Sequence, residues 1–225
     1  MNEARRIATP AHGTVVQAGY QRSGRGTADR SWVSSPGANL LCTIILERSR
    51  VEVPPQIMPL LMGIAVSKTV ELIIGRHAEI KWPNDVLVDG SKIAGILCEA
   101  TPSTLYAGIG INCNQSDFPR FRISAISLRD LTGEFLQVSS LLERLLTQIM
   151  TIFESPPRYA NWGEEVESRL FLRGEIAILD TKGERRQQQE VRIVGVVADG
   201  ALRVARPDGK IENVYAGEVS VRALE

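Results

Sequence analysis

The chain has 225 residues, which is enough for a mid-sized domain with a substantial core and a second, small domain. Hydrophobic residues make up 44% and charged residues 23%, a composition typical of a globular protein in water. Basic and acidic residues number 26 each, and the resulting net charge of zero argues against a nucleic-acid or membrane partner.

The first two thirds of the chain alternate between strand and helix patterns. In chain order they predict a helix over 2–7, a strand over 14–18, a Gly- and Arg-rich loop over 22–37 and a buried strand over 39–46. A helix follows over 54–75, opened by two prolines and closed by Gly75. Strands are expected over 78–82, 85–88, 92–99 and 105–112, with a hairpin turn at Asp89-Gly90. Ser140 and Glu143 predict a capping box for a helix that runs to 153.

After residue 170 the pattern changes to short strands. They are expected over 175–179, 191–197, 201–205 and 214–221, with turns at Lys182-Gly183, Asp199-Gly200 and Asp208-Gly209. A module of this size suits a small barrel. The predicted fold class is therefore α/β (α+β), with a mixed α/β body over 1–170 and a small β-barrel over 171–225.

Cysteine usage and the ends of the chain bear on the compartment. Cys42, Cys98 and Cys113 are odd in number and lack metal-ligand spacing, which favours free thiols in a reducing cytoplasm. No apolar run approaches the ~18 residues of a membrane span. The N-terminus lacks a basic segment followed by an apolar one. These features predict a cytoplasmic protein.

The first candidate site is the stretch from Gln21 to Trp32, in which Gly and Arg alternate after a strand. Backbone N–H groups of such a loop can approach an anion while guanidinium groups neutralise it. Trp32 can stack on a nucleobase. A solvated basic loop, a nucleic-acid loop and a core tryptophan are the alternative interpretations.

The second candidate site is Lys81-Trp82-Pro83-Asn84-Asp85, followed by Lys92, Gly95 and Glu99. Strand packing rarely requires a charge, an aromatic ring, a rigid turn and two short polar side chains in one string. Lys81 can meet a phosphate, and Asp85 can fix the Lys81 ammonium group or help to hold Mg²⁺. Lys92 lies just past the hairpin turn and can face the same pocket. An ordinary charged hairpin is the alternative.

The third candidate site is Gly108-Ile109-Gly110-Ile111-Asn112. Glycines weaken a buried strand unless a ligand or another backbone comes close. Asn112 can read the edge of an adenine. A strand kinked for packing is the alternative.

In this order and spacing, the three sites together resemble the catalytic domain of biotin protein ligases. The resemblance runs through Trp32, 35–40, 81–85, 92–99 and 108–112, and 217–220 resembles the end of the family's SH3-like C-terminal domain. It covers nearly the whole chain, and the pair Lys-Trp-Pro-Asn-Asp and Lys-x-Ala-Gly-Ile-Leu is its most specific part. It implies a mixed-sheet, biotin/lipoate-ligase-like catalytic domain followed by an SH3-like barrel, in a form that lacks a DNA-binding domain.

The resemblance also implies the reaction and its residues. It implies a biotin–[acetyl-CoA-carboxylase] ligase that uses ATP and Mg²⁺ to form biotinyl-5′-AMP and transfers biotin to a lysine of a biotin carboxyl carrier protein. The residues implied at biotin are Gln21, Gly24, Arg25, Lys92, Gly95, Leu97 and Gly108. Those implied at ATP are Arg30, Trp32, Lys81, Asn84 and Asn112, with Lys92, Arg25 and Lys81 as catalytic cations and Asp85 as a candidate Mg²⁺ ligand. A homodimer is an assembly that the resemblance allows.

This chemistry needs no nucleophilic side chain, because the biotin carboxylate is itself the nucleophile. Like charges must instead be neutralised and aligned in one pocket. The acyl-adenylate is a mixed anhydride that water hydrolyses, so we expect the loop over 22–32 to fold over it.

The chain departs from the family's pattern in two places. Thr27 stands where the family usually has Arg, and Asp29 where it has Gly. Loss of one guanidinium contact costs about 1.5–3 kcal/mol, so a weaker hold on the acyl-adenylate is expected. In addition, 1–6 resembles the helix that follows the family's first biotin-contacting strand. We therefore expect either a misassigned or truncated start, or a chain that lacks part of the biotin pocket. No helix-turn-helix domain precedes it, so repression of transcription is not predicted.

Three other functions remain open at this point. Lipoate ligases and octanoyltransferases share a similar catalytic fold, and acid selectivity depends on the shape of the pocket. A truncated or impaired relative would bind biotin or an acyl-adenylate without efficient ligation. An interaction protein with a solvated basic loop would bind neither ATP nor biotin.

Overall fold

The computed structural model describes residues 1–27, 30–51, 53–119, 124–154, 161–181, 187–217 and 219–224. The expectations for Asp29, the Lys182-Gly183 turn and Glu218 lie outside these residues. In chain order the first 170 residues form α1 (Asn2–Arg5), β1 (Thr14–Gln17), β2 (Gly24–Arg25), β3 (Ser31–Trp32), β4 (Leu40–Glu47), α2 (Met58–Ile74), β5 (Glu79–Lys81), β6 (Asp85–Val88), β7 (Ser91–Ala100), β8 (Thr104–Ile111), α3 (Leu128–Thr132), α4 (Val138–Glu154) and α5 (Trp162–Glu167). The remainder forms β9 (Ile176–Thr181), β10 (Gln188–Val196), β11 (Leu202–Ala205), β12 (Ile211–Val214) and β13 (Val219–Ala223).

The strands form two main sheets. The large sheet has the order β1-β4-β8-β7-β6-β5, and its strand pairings are antiparallel. Isolated parallel bridges add Leu170 beside Ile80 and Ala125 beside Lys92. The second sheet, here called the C-terminal module, has the order β12-β11-β10-β9-β13. The predicted fold class, an α/β body followed by a small antiparallel β module, is confirmed.

Helix α2 is buried on two sides because its first half, over 58–66, is apolar around its circumference. Met58 and Met62 pack into the core beneath the large sheet. Leu60 and Leu61 pack into a second core that is shared with the C-terminal module. The expectation that no stretch approaches the length of a membrane span was wrong, because 55–74 is long and apolar enough to cross a membrane; 67% of its most apolar window, however, is buried inside the protein. It serves here as the central core helix, and Gly75 ends it at a φ of 65°, as the sequence predicted.

Three local predictions were wrong or incomplete. The predicted capping box at Ser140 is wrong, because α4 begins at Val138 and Ser140 lies inside it. A capping box is instead formed at the start of α3 by Ser127 and Asp130. The single strand over 214–221 is also wrong, because the chain turns at Gly217 (φ 102°) and places β12 and β13 at opposite edges of the module. Finally, the loop over 22–37 contains the β2–β3 hairpin.

Candidate active site

One face of the large sheet is lined by glycines where β7 and β8 pair. Gly95 lies opposite Gly110, and Leu97 lies opposite Gly108. Because side chains alternate along a strand, Gly95, Leu97 and Glu99 share this face. The intervening apolar side chains, such as Ile96, are buried in the core on the other face. The glycine-lined face therefore leaves room for a ring or a ligand.

The β2–β3 hairpin covers this face. Gly24 pairs with Trp32, and a Cβ atom at Gly24 would lie 2.3 Å from the Trp32 carbonyl oxygen, so only glycine fits there. Between the hairpin and the sheet lies a groove of about 840 Å³, here called the hairpin groove. Six of the predicted site residues line it: Gln21, Gly24, Arg25, Arg30, Trp32 and Leu97.

The Trp32 indole lies directly on the paired glycines. A Cβ atom at Gly110 would lie 2.7 Å from Trp32 Cε2, and one at Gly95 would lie 2.9 Å from Cζ3. Both glycines are therefore explained by the close approach of this ring. Trp32 Nε1 is buried and, within the described part of the chain, has no hydrogen-bond partner. Lys92 Nζ lies 5.6 Å from the ring centroid, within cation–π range.

Lys92 is held by Asp85. Its Nζ lies 2.7 Å from Asp85 Oδ1, and the Asp85 side chain is 8% exposed. A bulge between Val86 and Leu87 shifts the register of the β6–β7 pairing and so brings Lys92 and Asp85 together. Lys81 lies opposite Asp85 in the β5–β6 pairing and is also buried. Of the two roles predicted for Asp85, fixing an ammonium group is thus observed, but the ammonium is that of Lys92.

The described residues do not fit an Mg²⁺ site built by the protein. Among them, no group of three or more His, Cys, Asp or Glu side chains comes together. Asp85 is a lone carboxylate whose Oδ1 already pairs with an ammonium group. Mg²⁺ binds octahedrally and usually through substrate phosphates, so it would arrive with a nucleotide rather than reside on this chain.

Arg25 pairs with Glu99, which the sequence placed in the second candidate site without assigning it a role. Arg25 Nη1 lies 3.0 Å from Glu99 Oε1, and Arg5 Nη2 lies 2.6 Å from Glu99 Oε2. The carboxylate thus joins the hairpin and helix α1 to the end of β7. Glu99 lies two residues after Leu97 on β7, and this spacing puts both side chains on the face that lines the groove. Gly108, on the same face, lies beneath the Met1 side chain, whose Cε would be 2.7 Å from a Cβ atom there.

The two asparagines predicted at ATP, Asn84 and Asn112, donate hydrogen bonds to backbone carbonyl groups. Asn84 Nδ2 donates to the Ile96 carbonyl at 2.9 Å. Asn112 Nδ2 donates to the carbonyls of Lys92 and Ile126 at 3.3 and 3.1 Å. Both side chains are nearly fully buried. They therefore fix the strands that carry Lys92, and their contact with ATP stays a prediction.

Both parts of the chain match known protein families. Residues 1–116 match the Biotin/lipoate A/B protein ligase family, and residues 182–222 match the Biotin protein ligase C terminal domain. The first match spans more than half of the chain. The chain belongs to the biotin/lipoate A/B protein ligase family.

Several members of the family are similar in sequence or structure. The "Bifunctional ligase/repressor BirA" of Bacillus subtilis is 37% identical over 145 residues, which cover 60% of this chain and 44% of that protein. The "Biotin--[acetyl-CoA-carboxylase] ligase" of Mycobacterium tuberculosis is 32% identical over 143 residues, 61% of this chain and 53% of that protein. The structure of the biotin protein ligase from Aquifex aeolicus in complex with biotin and ATP has a TM-score of 0.84 at 29% identity, covering 99% of this chain and 94% of that one. The chain thus spans about half the length of these two curated relatives.

Thr27, a departure from the family's pattern, contacts a predicted ATP residue. Arg30 Nη2 donates to Thr27 Oγ1 at 2.8 Å, and Arg30 Nε donates to the Thr27 carbonyl at 3.1 Å. We expect Thr27→Arg to bind an acyl-adenylate about fivefold more tightly. The gain is smaller than a full ionic contact gives, because the substitution also removes the hydroxyl group that now positions Arg30. Dissociation of biotinyl-5′-AMP would measure this. Thr27→Val, which removes only the hydroxyl group, is the control, and an arginine variant that binds no better than wild type would contradict the expectation.

Buried thiols supply no nucleophile to the groove. The described cysteines are free, and burial raises the pKa of Cys42 to about 12 and that of Cys113 to about 11. They therefore stay protonated near neutral pH. This agrees with a chemistry in which the substrate carboxylate is the nucleophile.

Proposed function

We propose that this protein is an ATP-dependent biotin ligase, which forms biotinyl-5′-AMP and transfers biotin to a lysine of a biotin carboxyl carrier protein. The observation that carries the proposal is the ion-paired Lys92 beside Trp32, a ring that lines the groove together with Gln21, Gly24 and Arg25. Family membership and the likeness to a ligase that binds biotin and ATP support it.

In the first step a carboxylate oxygen of biotin attacks the α-phosphorus of ATP, and the bond to pyrophosphate breaks. Arg25 and Arg30 line the hairpin groove, and Lys92 lies beside the Trp32 ring that also lines it. We assign to Lys92 and Arg25 the neutralisation of the carboxylate and the α-phosphate. Lys81 is the fourth cation that we assign to the phosphates. Such preorganised charge stabilises the transition state because it needs no reorganisation during the reaction.

In the second step a neutral lysine amine of the carrier attacks the acyl carbon, AMP leaves, and the amine loses a proton. Until then the mixed anhydride must be kept from water. The β2–β3 hairpin covers the groove and is tied to the sheet through the Arg25–Glu99 ion pair. We assign to it the shielding of the intermediate.

The finer assignments belong to the same proposal. We propose a catalytic domain over 1–170 and an SH3-like module over 171–225, action in the cytoplasm, Mg²⁺ bound through ATP, and the carrier protein as the macromolecular partner. A homodimer is the assembly to test first by light scattering.

The direct test is release of pyrophosphate from biotin and Mg·ATP, with and without an isolated biotin-carrier domain. Biotin-dependent release, followed by mass spectrometric detection of biotin on the carrier lysine, is the expected result. Retention of biotinyl-5′-AMP without transfer would favour the impaired relative. Absence of both release and binding would remove the function and leave the fold.

Selectivity for the acid is tested separately, because lipoate and octanoate ligases have a similar catalytic fold. The Mycobacterium tuberculosis relative and the Aquifex aeolicus structure are named for biotin, which favours biotin over these acids. In a competition assay with the three acids, we expect the carrier to receive biotin. Preferential transfer of lipoate or octanoate would reassign the substrate.

A further inference from the structure

Trp82 is the one aromatic residue of the Lys81–Asp85 segment, and it points away from the hairpin groove. Its side chain is buried, and it packs in the core that α2 shares with the C-terminal module. Neighbours in that core include Leu179 and Leu202 of the module. The motif that carries Lys81 and Asp85 is thus anchored on its far side to the C-terminal module.

The anchor includes one directional contact. Trp82 Nε1 donates a hydrogen bond to the carbonyl of Gly200 at 3.0 Å, across 118 residues of sequence. Gly200 lies in the turn between β10 and β11 and has a φ of 86°. A Cβ atom there would lie 3.4 Å from the Gln56 carbonyl, so the turn also sits closely against the entrance to α2.

A second contact holds the same segment. Strand β5 is the edge of the large sheet, and Ile80 exchanges hydrogen bonds with the chain that enters the C-terminal module. Ile80 N–H donates to the Arg169 carbonyl at 2.7 Å, and Phe171 N–H donates to the Ile80 carbonyl at 3.0 Å. Lys81 is therefore flanked by two residues that are fixed by the C-terminal part of the chain.

The other end of the segment fixes the predicted catalytic lysine. Asn84 exchanges two hydrogen bonds with Ile96 of β7, one from its side chain and one through its carbonyl, both of 2.9 Å. Asp85 then pairs with Lys92. Any shift of Trp82 is passed to Lys81 on one side and to Asn84 and Asp85 on the other, because these residues are covalent near-neighbours.

We propose that Trp82 is a positioning residue for adenylation, which locks the Lys81–Asp85 segment to Gly200 and so makes the C-terminal module part of the framework of the ATP side of the site. The assignment rests on the proposed function. Packing alone would be satisfied by phenylalanine, so the indole N–H is the feature that the lock requires. If the buried Gly200 carbonyl loses its donor, the Lys81–Asp85 segment can relax. Small displacements of the charged groups that it carries would then slow adenylation strongly.

The test uses one variant on each side of the contact. Trp82→Phe keeps a large aromatic ring and removes the donor. Gly200→Ala strains the turn that presents the acceptor. Gly209→Ala is the matched control, since Gly209 has nearly the same φ, 84°, in another turn of the module, and a Cβ atom there would meet nothing within 4 Å. The double variant Trp82→Phe/Gly200→Ala completes the cycle.

Biotin-dependent pyrophosphate release is measured as a function of ATP concentration, and the Kd is measured for biotin alone. Both assays are run at a temperature well below the Tm of each variant. We expect kcat/KM for ATP to fall by about tenfold in Trp82→Phe and in Gly200→Ala, and the double variant to fall little further, because both break one contact. The Kd for biotin should change by less than about twofold. Gly209→Ala should stay within about twofold of wild type.

Three results would overturn the assignment. If the wild type is active and Trp82→Phe and Gly200→Ala have the same kcat/KM for ATP as Gly209→Ala, the hydrogen bond does not position the segment. Equal losses in biotin affinity and in kcat/KM for ATP would indicate general loosening of the fold. A wild type without biotin-dependent release would remove the proposed function, and this role for Trp82 with it.

Discussion

Replacement of Lys92 by methionine is expected to lower the rate of biotin-dependent pyrophosphate release by about 100- to 1000-fold. The substitution keeps the apolar stem that lies near Trp32 and removes the ammonium group that lies 2.7 Å from Asp85 Oδ1. Removal of a single preorganised group that stabilises transition-state charge has effects of this size. Asp85 would then be left as a buried, unpaired carboxylate, which adds repulsion against both substrates. A time course of pyrophosphate release with biotin and Mg·ATP would measure the loss of rate.

The control for this change is Lys210→Met, which removes one ammonium group from an exposed turn of the C-terminal module. It should leave the rate within about twofold of wild type, because exposed charges far from a site are screened by salt. Lys92→Arg separates charge from shape: a guanidinium keeps the charge but presents a planar fork in place of a compact donor, so only partial recovery is expected. A methionine variant that retained more than about a tenth of the wild-type rate would remove Lys92 from the catalytic set.

The elements of this fold follow from local patterns, and the errors arise where tertiary contacts decide. The helix through 58–74 and the strands β4 to β8 have strong apolar periodicity, so their positions could be predicted within a few residues. The stretch from Val214 to Val221 was predicted as one strand, although its apolar alternation shifts by one residue across Gly217. Only the tertiary fold decides that the two halves pair with opposite edges. Likewise Ser140 has a capping-box pattern, but packing starts α4 two residues earlier, at Val138.

The same limit applies within the site. The glycines of β7 and β8 were predicted to admit a close neighbour, and the neighbour proved to be Trp32. Glu99 was placed in the second candidate site, but its partner could not be predicted, because Arg25 lies 74 residues away and no sequence pattern encodes that pairing. The partner of Asp85 was predicted to be Lys81 or a metal ion. The β6–β7 bulge brings Lys92 to it instead, and a bulge shifts register without a clear signal in the sequence.

The role of Asp85 can be decided by Asp85→Asn, for which we expect biotin-dependent pyrophosphate release to fall by about 10- to 50-fold. Loss of one partner of a buried ion pair is costly because the remaining charge keeps its desolvation penalty. Here the Lys92 side chain is 26% exposed, so water recovers part of that cost and the effect should be smaller than that of losing Lys92 itself. Asp89→Asn is the matched control, since Asp89 pairs with Arg76 at 2.8 Å on the same hairpin but is 65% exposed. It should change the rate by less than about twofold.

Two further measurements separate the ion-pair role from that of a metal ligand. If Asp85 acts through Lys92, the double variant Asp85→Asn/Lys92→Met should be no slower than Lys92→Met, because without the ammonium group the carboxylate contributes only repulsion. The Mg²⁺ concentration that gives half the maximal rate should also be unchanged in Asp85→Asn. A strongly raised Mg²⁺ requirement would instead make Asp85 a metal ligand, and it would mean that the ion pair at 2.7 Å opens when Mg·ATP binds. The asparagine amide cannot neutralise an ammonium group, but its oxygen can still bind a cation. If Asp85 acts through Lys92, Asp85→Asn should therefore lower the rate more than the Mg²⁺ affinity. If Asp85 is a metal ligand, the loss of Mg²⁺ affinity should be the larger.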